Sequence, residues 1–143
     1  MADKYDSLKL DNQICFPLYA VSKEIIRKYK PFLEEIDLTY TQYIAMMVLW
    51  EDRCICVKDM GAKLFLDSGT LTPVLKTLEK KGYLTRRRSD EDERVLNVEV
   101  TEEGMKLRDR ALDVPGKIGQ CIALESDEAV SLYKILRKML GQF

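Results

Sequence analysis

The chain is predicted to be mainly α-helical with one small β-hairpin, an α+β arrangement folded as a single unit over residues 1–143. Three observations predict it. Apolar residues recur at helical spacing through most of the chain, the period switches to strict alternation at Val95-Leu96-Asn97-Val98-Glu99-Val100, and a polar loop from Ser89 to Arg94 separates that run from Tyr83-Leu84-Thr85-Arg86-Arg87-Arg88. An apolar fraction of 46% in 143 residues is ample for one core and lean for two.

The first helix is expected from about Leu10 to Lys30, with apolar residues at Leu10, Ile14, Leu18, Val21 and Ile25 and a second strip at Cys15, Tyr19, Ile26 and Tyr29. So wide an apolar surface implies burial on more than one side. Asp11 or Asn12 is placed to cap its start. Pro17 lies within the pattern and is expected to distort the turns beside Cys15, and Pro31 is expected to end the helix. Thr39 caps a second helix, Tyr40 to about Asp52, and Val57 to Leu64 makes a short third. Asp67-Ser68-Gly69-Thr70-Leu71-Thr72-Pro73 opens a fourth that runs to Lys81 and is closed by Gly82. Its buried stripe is Leu71, Val74, Leu75 and Leu78; its other face carries Ser68, Thr70, Thr72, Lys76 and Lys80. Beyond the hairpin, Thr101-Glu102-Glu103-Gly104 starts a fifth helix broken near Pro115-Gly116, and Ser126-Asp127-Glu128 starts a last one with Ala129, Leu132, Ile135, Leu136, Met139 and Leu140 on one side.

Composition removes several classes of function. With no histidine in the chain, Ser-His-Asp and Cys-His nucleophiles, a histidine general base and His-containing zinc sites are all excluded. Cys54-x-Cys56 offers two thiolates at a spacing tighter than the usual zinc knuckle, so a tetrahedral site would need the distant Cys15 and Cys121 as well. No metal or cofactor is called for. The N-terminus lacks the organisation of a signal peptide, and the longest apolar run, Ile44 to Trp50, is too short to span a bilayer. A cytoplasmic protein with free thiols and no membrane partner is expected. The formal net charge is −1, yet residues 57–94 hold nine Lys or Arg against seven Asp or Glu. For phosphate contacts the clustering of cations on one face matters more than the total.

Short helix, tight connection, second helix with a polar face, then a basic hairpin is the order of a winged helix-turn-helix. In such a module Ser68, Thr70 and Thr72 would meet base edges or backbone in the major groove, Lys76 would neutralise phosphates, and Arg86 and Arg94 of the hairpin would reach an adjacent groove. Leu84-Thr85-Arg86, Asp92-Glu93-Arg94 and Val100-Thr101-Glu102-Glu103-Gly104 together resemble the MarR family of winged-helix regulators. Cys15-Phe16-Pro17-Leu18-Tyr19, Tyr40-Thr41-Gln42-Tyr43, Leu66-Asp67-Ser68-Gly69-Thr70-Leu71-Thr72-Pro73 and Ser89-Asp90-Glu91-Asp92-Glu93-Arg94 are similar, more narrowly, to its organic hydroperoxide resistance branch. The resemblance covers roughly Leu10 to Pro115.

That resemblance implies an intertwined homodimer on a palindromic double-stranded DNA operator. Dimerisation helices would lie at about residues 10–35 and 102–143, with the winged module at about 39–101. It implies that Asp92 and Arg94 belong to the DNA-binding wing. It also implies that Cys15 senses an organic hydroperoxide and that Tyr29 and Tyr40 hydrogen-bond it across the dimer interface. Phenol donors would stabilise the thiolate, the form that attacks peroxide oxygen. Some relatives then use an external small thiol to form a mixed disulfide, and others a partner cysteine in the C-terminal part, where Cys121 lies. Two other functions stand beside a peroxide-released repressor: a regulator answering a small aromatic ligand in an apolar cleft, and a thiol-dependent peroxidase using Cys15 in turnover. Cys54 and Cys56 are expected to be packing residues flanking a helix connection.

Overall fold

The computed structural model describes Met1 and residues 3–143, and begins with two single 3₁₀ turns, Asp6–Leu8 and Leu10–Asn12. Helix α1, Cys15–Glu34, therefore starts five residues later than the apolar pattern predicts. The expected cap does not form. Asn12 Nδ2 instead donates to the Asp6 carbonyl at 2.7 Å, and Gln13 Nε2 donates to the carbonyls of Ser7 and Lys9 at 2.7 and 2.9 Å, folding the N-terminal segment onto itself. The later start also changes what Pro17 does. It is the third helical residue, where a backbone N–H has no partner inside the helix, so the expected distortion beside Cys15 has no cause. Pro31 does not end the helix. Its ring takes one bond from the ladder, and the chain continues because Leu33, Ile36 and Leu38 just beyond it are buried in the core.

Helix α2, Tyr40–Asp52, opens on a reciprocal cap: Gln42 N–H donates to Thr39 Oγ1 at 3.3 Å, and Thr39 N–H donates to Gln42 Oε1 at 3.0 Å. Its Tyr43, Ala45, Met46 and Leu49 form the centre of the core. Arg53 then turns the chain with φ 65° into a strand that sequence periodicity missed, β1, Cys54–Cys56. Three residues are too few to display an alternation. Helix α3, Val57–Leu64, follows, and then α4, Ser68–Lys80, capped by Asp67 Oδ1, which accepts from Thr70 N–H at 2.7 Å. Leu71, Leu75 and Leu78 are buried as expected, and Val74 is half-buried.

Gly82, at φ 83°, turns the chain into β2, Leu84–Arg88, which pairs with β3, Leu96–Val100. All pairing is antiparallel, in the order β1-β3-β2. Ile55 and Arg86 both lie opposite Val98, and Cys54 and Thr85 both lie opposite Glu99. One sheet face is thus turned to the core through Leu84 and Val98, and the other carries Cys54, Cys56, Thr85, Arg87, Asn97 and Glu99.

Helix α5, Glu102–Ala111, is locked to the turn before β2. Thr101 Oγ1 accepts from Gly104 N–H at 3.0 Å and donates to the Gly82 carbonyl at 2.6 Å, and Trp50 Nε1 donates to the Gly104 carbonyl at 2.8 Å. A Cβ on Gly104 would stand 2.1 Å from the Tyr83 carbonyl oxygen, which is why the position holds no side chain. The break expected at Pro115-Gly116 comes slightly earlier: α6, Val114–Gln120, takes Pro115 into its first turn, where it is tolerated. Helix α7, Ser126–Leu140, is capped by Glu125 rather than Ser126 and buries no residue at all. No helix among the described residues is long and apolar enough to cross a membrane.

Candidate nucleic-acid interface and thiol centre

Helices α3 and α4 are joined at Phe65, left-handed at φ 54° and ψ 39°, and the connection directs the start of α4 away from the core. Ser68, Thr70 and Lys76 are exposed there; Thr72 is half-buried. The outward face of α4 offers hydroxyls near its N-terminus and cations along its length, an order suited to base edges and phosphates.

At the hairpin, Arg94 is 91% exposed and is held by Asp92 in a two-point contact, Nε to Oδ1 at 3.1 Å and Nη2 to Oδ2 at 3.2 Å. The Arg94 backbone N–H also donates to Asp92 Oδ1, at 3.0 Å. These bonds hold the Asp92 carboxyl below its ordinary range. Asp92 therefore fixes the direction in which the guanidinium leaves the loop. Arg86, expected at the DNA surface, is turned inward instead. It shares the sheet face of Leu84, so its side chain meets α4, where Nη2 and Nε donate to Glu79 Oε1 at 3.1 and 3.3 Å and its backbone N–H donates to Oε2 at 2.9 Å. The guanidinium keeps the Glu79 carboxyl low. Exposed Arg87 and Arg88 carry the outward charge of this strand, and counting alternation from Leu84 would have separated Arg87 from Arg86.

The thiol centre is divided along α1. Cys15, its first residue, is exposed, and the Tyr29 ring packs on Tyr40 at a centroid distance of 4.9 Å and on Tyr43 at 5.9 Å. Tyr43 joins a pair that the sequence named only as Tyr29 and Tyr40. Burial, with smaller contributions from Tyr40 and Tyr43, pushes the Tyr29 phenol up to about 12; Tyr40 is raised by burial too. Both hydroxyls are therefore protonated donors at neutral pH. Cys15 and Tyr29 stand fourteen residues apart on one helix, close to four turns and about 21 Å, so they share a face but do not touch within one chain. Cys121, exposed just after α6, lines an apolar groove of about 690 Å³ with Ile14, Pro17 and Leu18, the residues flanking Cys15.

The chain matches the family of transcriptional regulators SarA/Rot over residues 27–111. It is 51% identical over 118 residues to the organic hydroperoxide resistance transcriptional regulator of Bacillus subtilis, covering 82% of this chain and 80% of that one. The chain belongs to the MarR family, in its organic hydroperoxide resistance branch. Reduced AbfR bound to DNA superposes with a TM-score of 0.79 at 32% identity over 98% of both chains, and a disulfide-formed AbfR superposes at 0.67 with 31% identity over 97% of this chain and 95% of that one. Reduced MarR from E. coli, 24% identical with a TM-score of 0.73 over 90% of this chain and 96% of that one, shares the fold. This MarR-family chain is accordingly a DNA-binding transcriptional regulator with a winged helix-turn-helix.

Proposed function

We propose that this protein is a homodimeric repressor that holds a palindromic operator through α4 and the wing and lets go when an organic hydroperoxide oxidises Cys15. The observation that carries the proposal is the split thiol centre. Two α1 helices packed antiparallel about a two-fold axis midway between positions 15 and 29 would bring Cys15 of each chain to the protonated Tyr29–Tyr40 pair of the other. The apolar side chains exposed at the entry to α1, along it and on α7, among them Ile14, Phe16, Tyr19, Val130, Leu132 and Ile135, supply a surface for that pairing. Ser68, Thr70, Thr72 and Lys76 then address the major groove, and Arg94, steered by Asp92, the neighbouring groove.

The chemistry balances without a cofactor. The Cys15 thiolate attacks the terminal peroxide oxygen, the O–O bond breaks, and sulfur takes one oxygen while the alkoxide leaves and picks up a proton from a phenol or water. The sulfenic acid then condenses with a small thiol, forming a mixed disulfide and releasing water. The placement of Cys121 in a groove with Ile14, Pro17 and Leu18, sequence neighbours of Cys15, supports a second route for that last step, in which Cys121 of the same or the other chain closes on Cys15 with loss of water. Either product enlarges a side chain inside a packed interface and changes the spacing of the two DNA-reading modules.

The test is anisotropy of a labelled inverted-repeat operator with wild type and Cys15→Ser, before and after stoichiometric cumene hydroperoxide, with and without a small thiol. Wild type is expected to release DNA and Cys15→Ser to stay bound. Release that needs added thiol assigns the mixed disulfide, and release without it that is lost in Cys121→Ser assigns the internal bridge. Equal retention of DNA by wild type and Cys15→Ser overturns the proposal and directs the search to a ligand.

A further inference from the structure

Cys54, expected to be a packing residue, is exposed instead, and Cys56 is only half-buried. They are alternate residues of the edge strand β1, and their partners in the register, Glu99 and Asn97, line the same exposed surface as Cys54, Thr85 and Arg87. Both thiols therefore stand on the outer face of the sheet, Cys54 exposed and Cys56 half-buried. That surface forms a concavity of about 420 Å³, with Arg87, Arg88 and Asn97 among its walls.

We infer that Cys54 and Cys56 together form a two-thiolate site for a soft, thiophilic monovalent cation such as Cu(I). Residues i and i+2 of a strand lie about 6.6–6.8 Å apart, at the far edge of what a disulfide spans, and their Cβ atoms point the same way rather than toward each other. The intact strand therefore keeps the thiols from closing on themselves. One bridging atom removes the mismatch: two thiolate bonds in a line, each no longer than the roughly 2.3 Å of zinc–thiolate, need sulfurs no more than about 4.6 Å apart, within reach of χ1 rotation on these two residues. Soft thiolates select soft cations, and linear two-coordination needs no further ligand. Zinc would need four, and among the described residues no group of three or more Cys, Asp or Glu side chains is placed to hold a metal. The residues on the same face are Glu99 beside Cys54, Asn97 beside Cys56, and Thr85 and Arg87 one strand further on. Binding is a plain exchange, in which both thiols lose a proton, two sulfur–metal bonds form and no electron moves.

The site is independent of Cys15, and the experiment is built to keep it so. Full-length Cys15→Ser/Cys121→Ser is titrated anaerobically with Cu(I) against a competing chromophoric chelator, alongside the same protein carrying Cys54→Ser or Cys56→Ser, each checked for native circular dichroism. The expected result is one Cu(I) per chain, an ultraviolet sulfur-to-copper charge-transfer band, and at least a hundredfold weaker binding in either serine variant. Three results overturn the inference: no binding by the two-thiol protein, binding unchanged when one of the pair is removed, or a stoichiometry of one half with copper-dependent association, which would mean that thiols of separate chains share the cation.

Discussion

In the proposed switch the Tyr29 hydroxyl is the group on which thiolate stabilisation turns, because a phenol can donate to a thiolate only while it keeps its proton. Burial pushes Tyr29 up to about 12, and burial raises Tyr40 and Tyr43 as well. A group whose folded value is raised above its unfolded value near 10 contributes stability that is complete below 10 and disappears as the pH climbs through 12. Alkaline titration followed by tyrosinate absorbance is therefore expected to resolve a late fraction of the seven tyrosines, coincident with loss of structure, and Tyr29→Phe should shrink that fraction. A single step near the ordinary phenol value would contradict the packing described. On the proposed DNA-binding side the residue to test is Arg94, nearly fully exposed and held by Asp92. Arg94→Ala is expected to weaken operator binding about ten-fold or more with sedimentation unchanged. Operator affinity equal to wild type would remove the wing from the interface.

Among the elements, the joint between β2 and α5 shows how a sequence motif becomes a constraint. Thr101 caps α5 and reaches back to Gly82, and Gly104 lets the helix lie against the Tyr83 carbonyl. Gly104→Ala places a methyl 2.1 Å from a backbone oxygen that cannot rotate away, so α5 must move from β2. A loss of about 1–3 kcal/mol in urea unfolding is expected, and a neutral result would mean that α5 is not held there. Motifs of this kind were legible because caps and close approaches leave fixed residue types at fixed offsets: Thr39 with Gln42, Asp67 before Ser68, Thr101 before Gly104. What was not legible depended on partners distant in sequence. Pro31 reads as a stop until the burial of Leu33 and Ile36 outweighs it, and β1 becomes a strand only because β3 lies beside it. Arg86 was misplaced for a local reason, since adjacent strand residues face opposite ways and only one of Arg86 and Arg87 can meet Glu79. The sequence names Cys15, Tyr29 and Tyr40 of the proposed thiol centre as residue types, and the helix expected from Leu10 to Lys30 already sets Cys15 and Tyr29 about 21 Å apart; the packing of Tyr43 onto the Tyr29–Tyr40 pair depends on tertiary contacts and is visible only in the fold.

At the scale of the molecule, one chain by itself leaves its largest apolar surface uncovered. Helix α7 buries no residue, and Leu132, Tyr133, Ile135, Leu136, Met139 and Leu140 all stand at least a third exposed, as do Ile14, Phe16 and Tyr19 at the start of α1. Patches of that extent mark an interaction surface, and a two-fold pairing is the commonest way for a chain to cover its own surface. The core, centred on α2, α3, α4 and the sheet and completed by Leu33, Leu107, Ala111 and Val114, is closed within one chain and includes no residue of α7, so a substitution on α7 separates dimerisation from folding of the module. Leu136→Glu puts a charge into the patch and leaves that core intact. Analytical ultracentrifugation is expected to show a monomer with native helical content. Its operator affinity should fall at least a hundredfold, because each module alone holds one half-site and loses the gain from linked binding. Thermal unfolding, dependent on concentration in wild type, should become independent of it. A Leu136→Glu protein that remained dimeric and bound DNA normally would mean that α7 is not part of the interface. The proposed meeting of Cys15 with Tyr29 and Tyr40 would then require some other assembly, because Cys15 and Tyr29 lie about 21 Å apart along one α1.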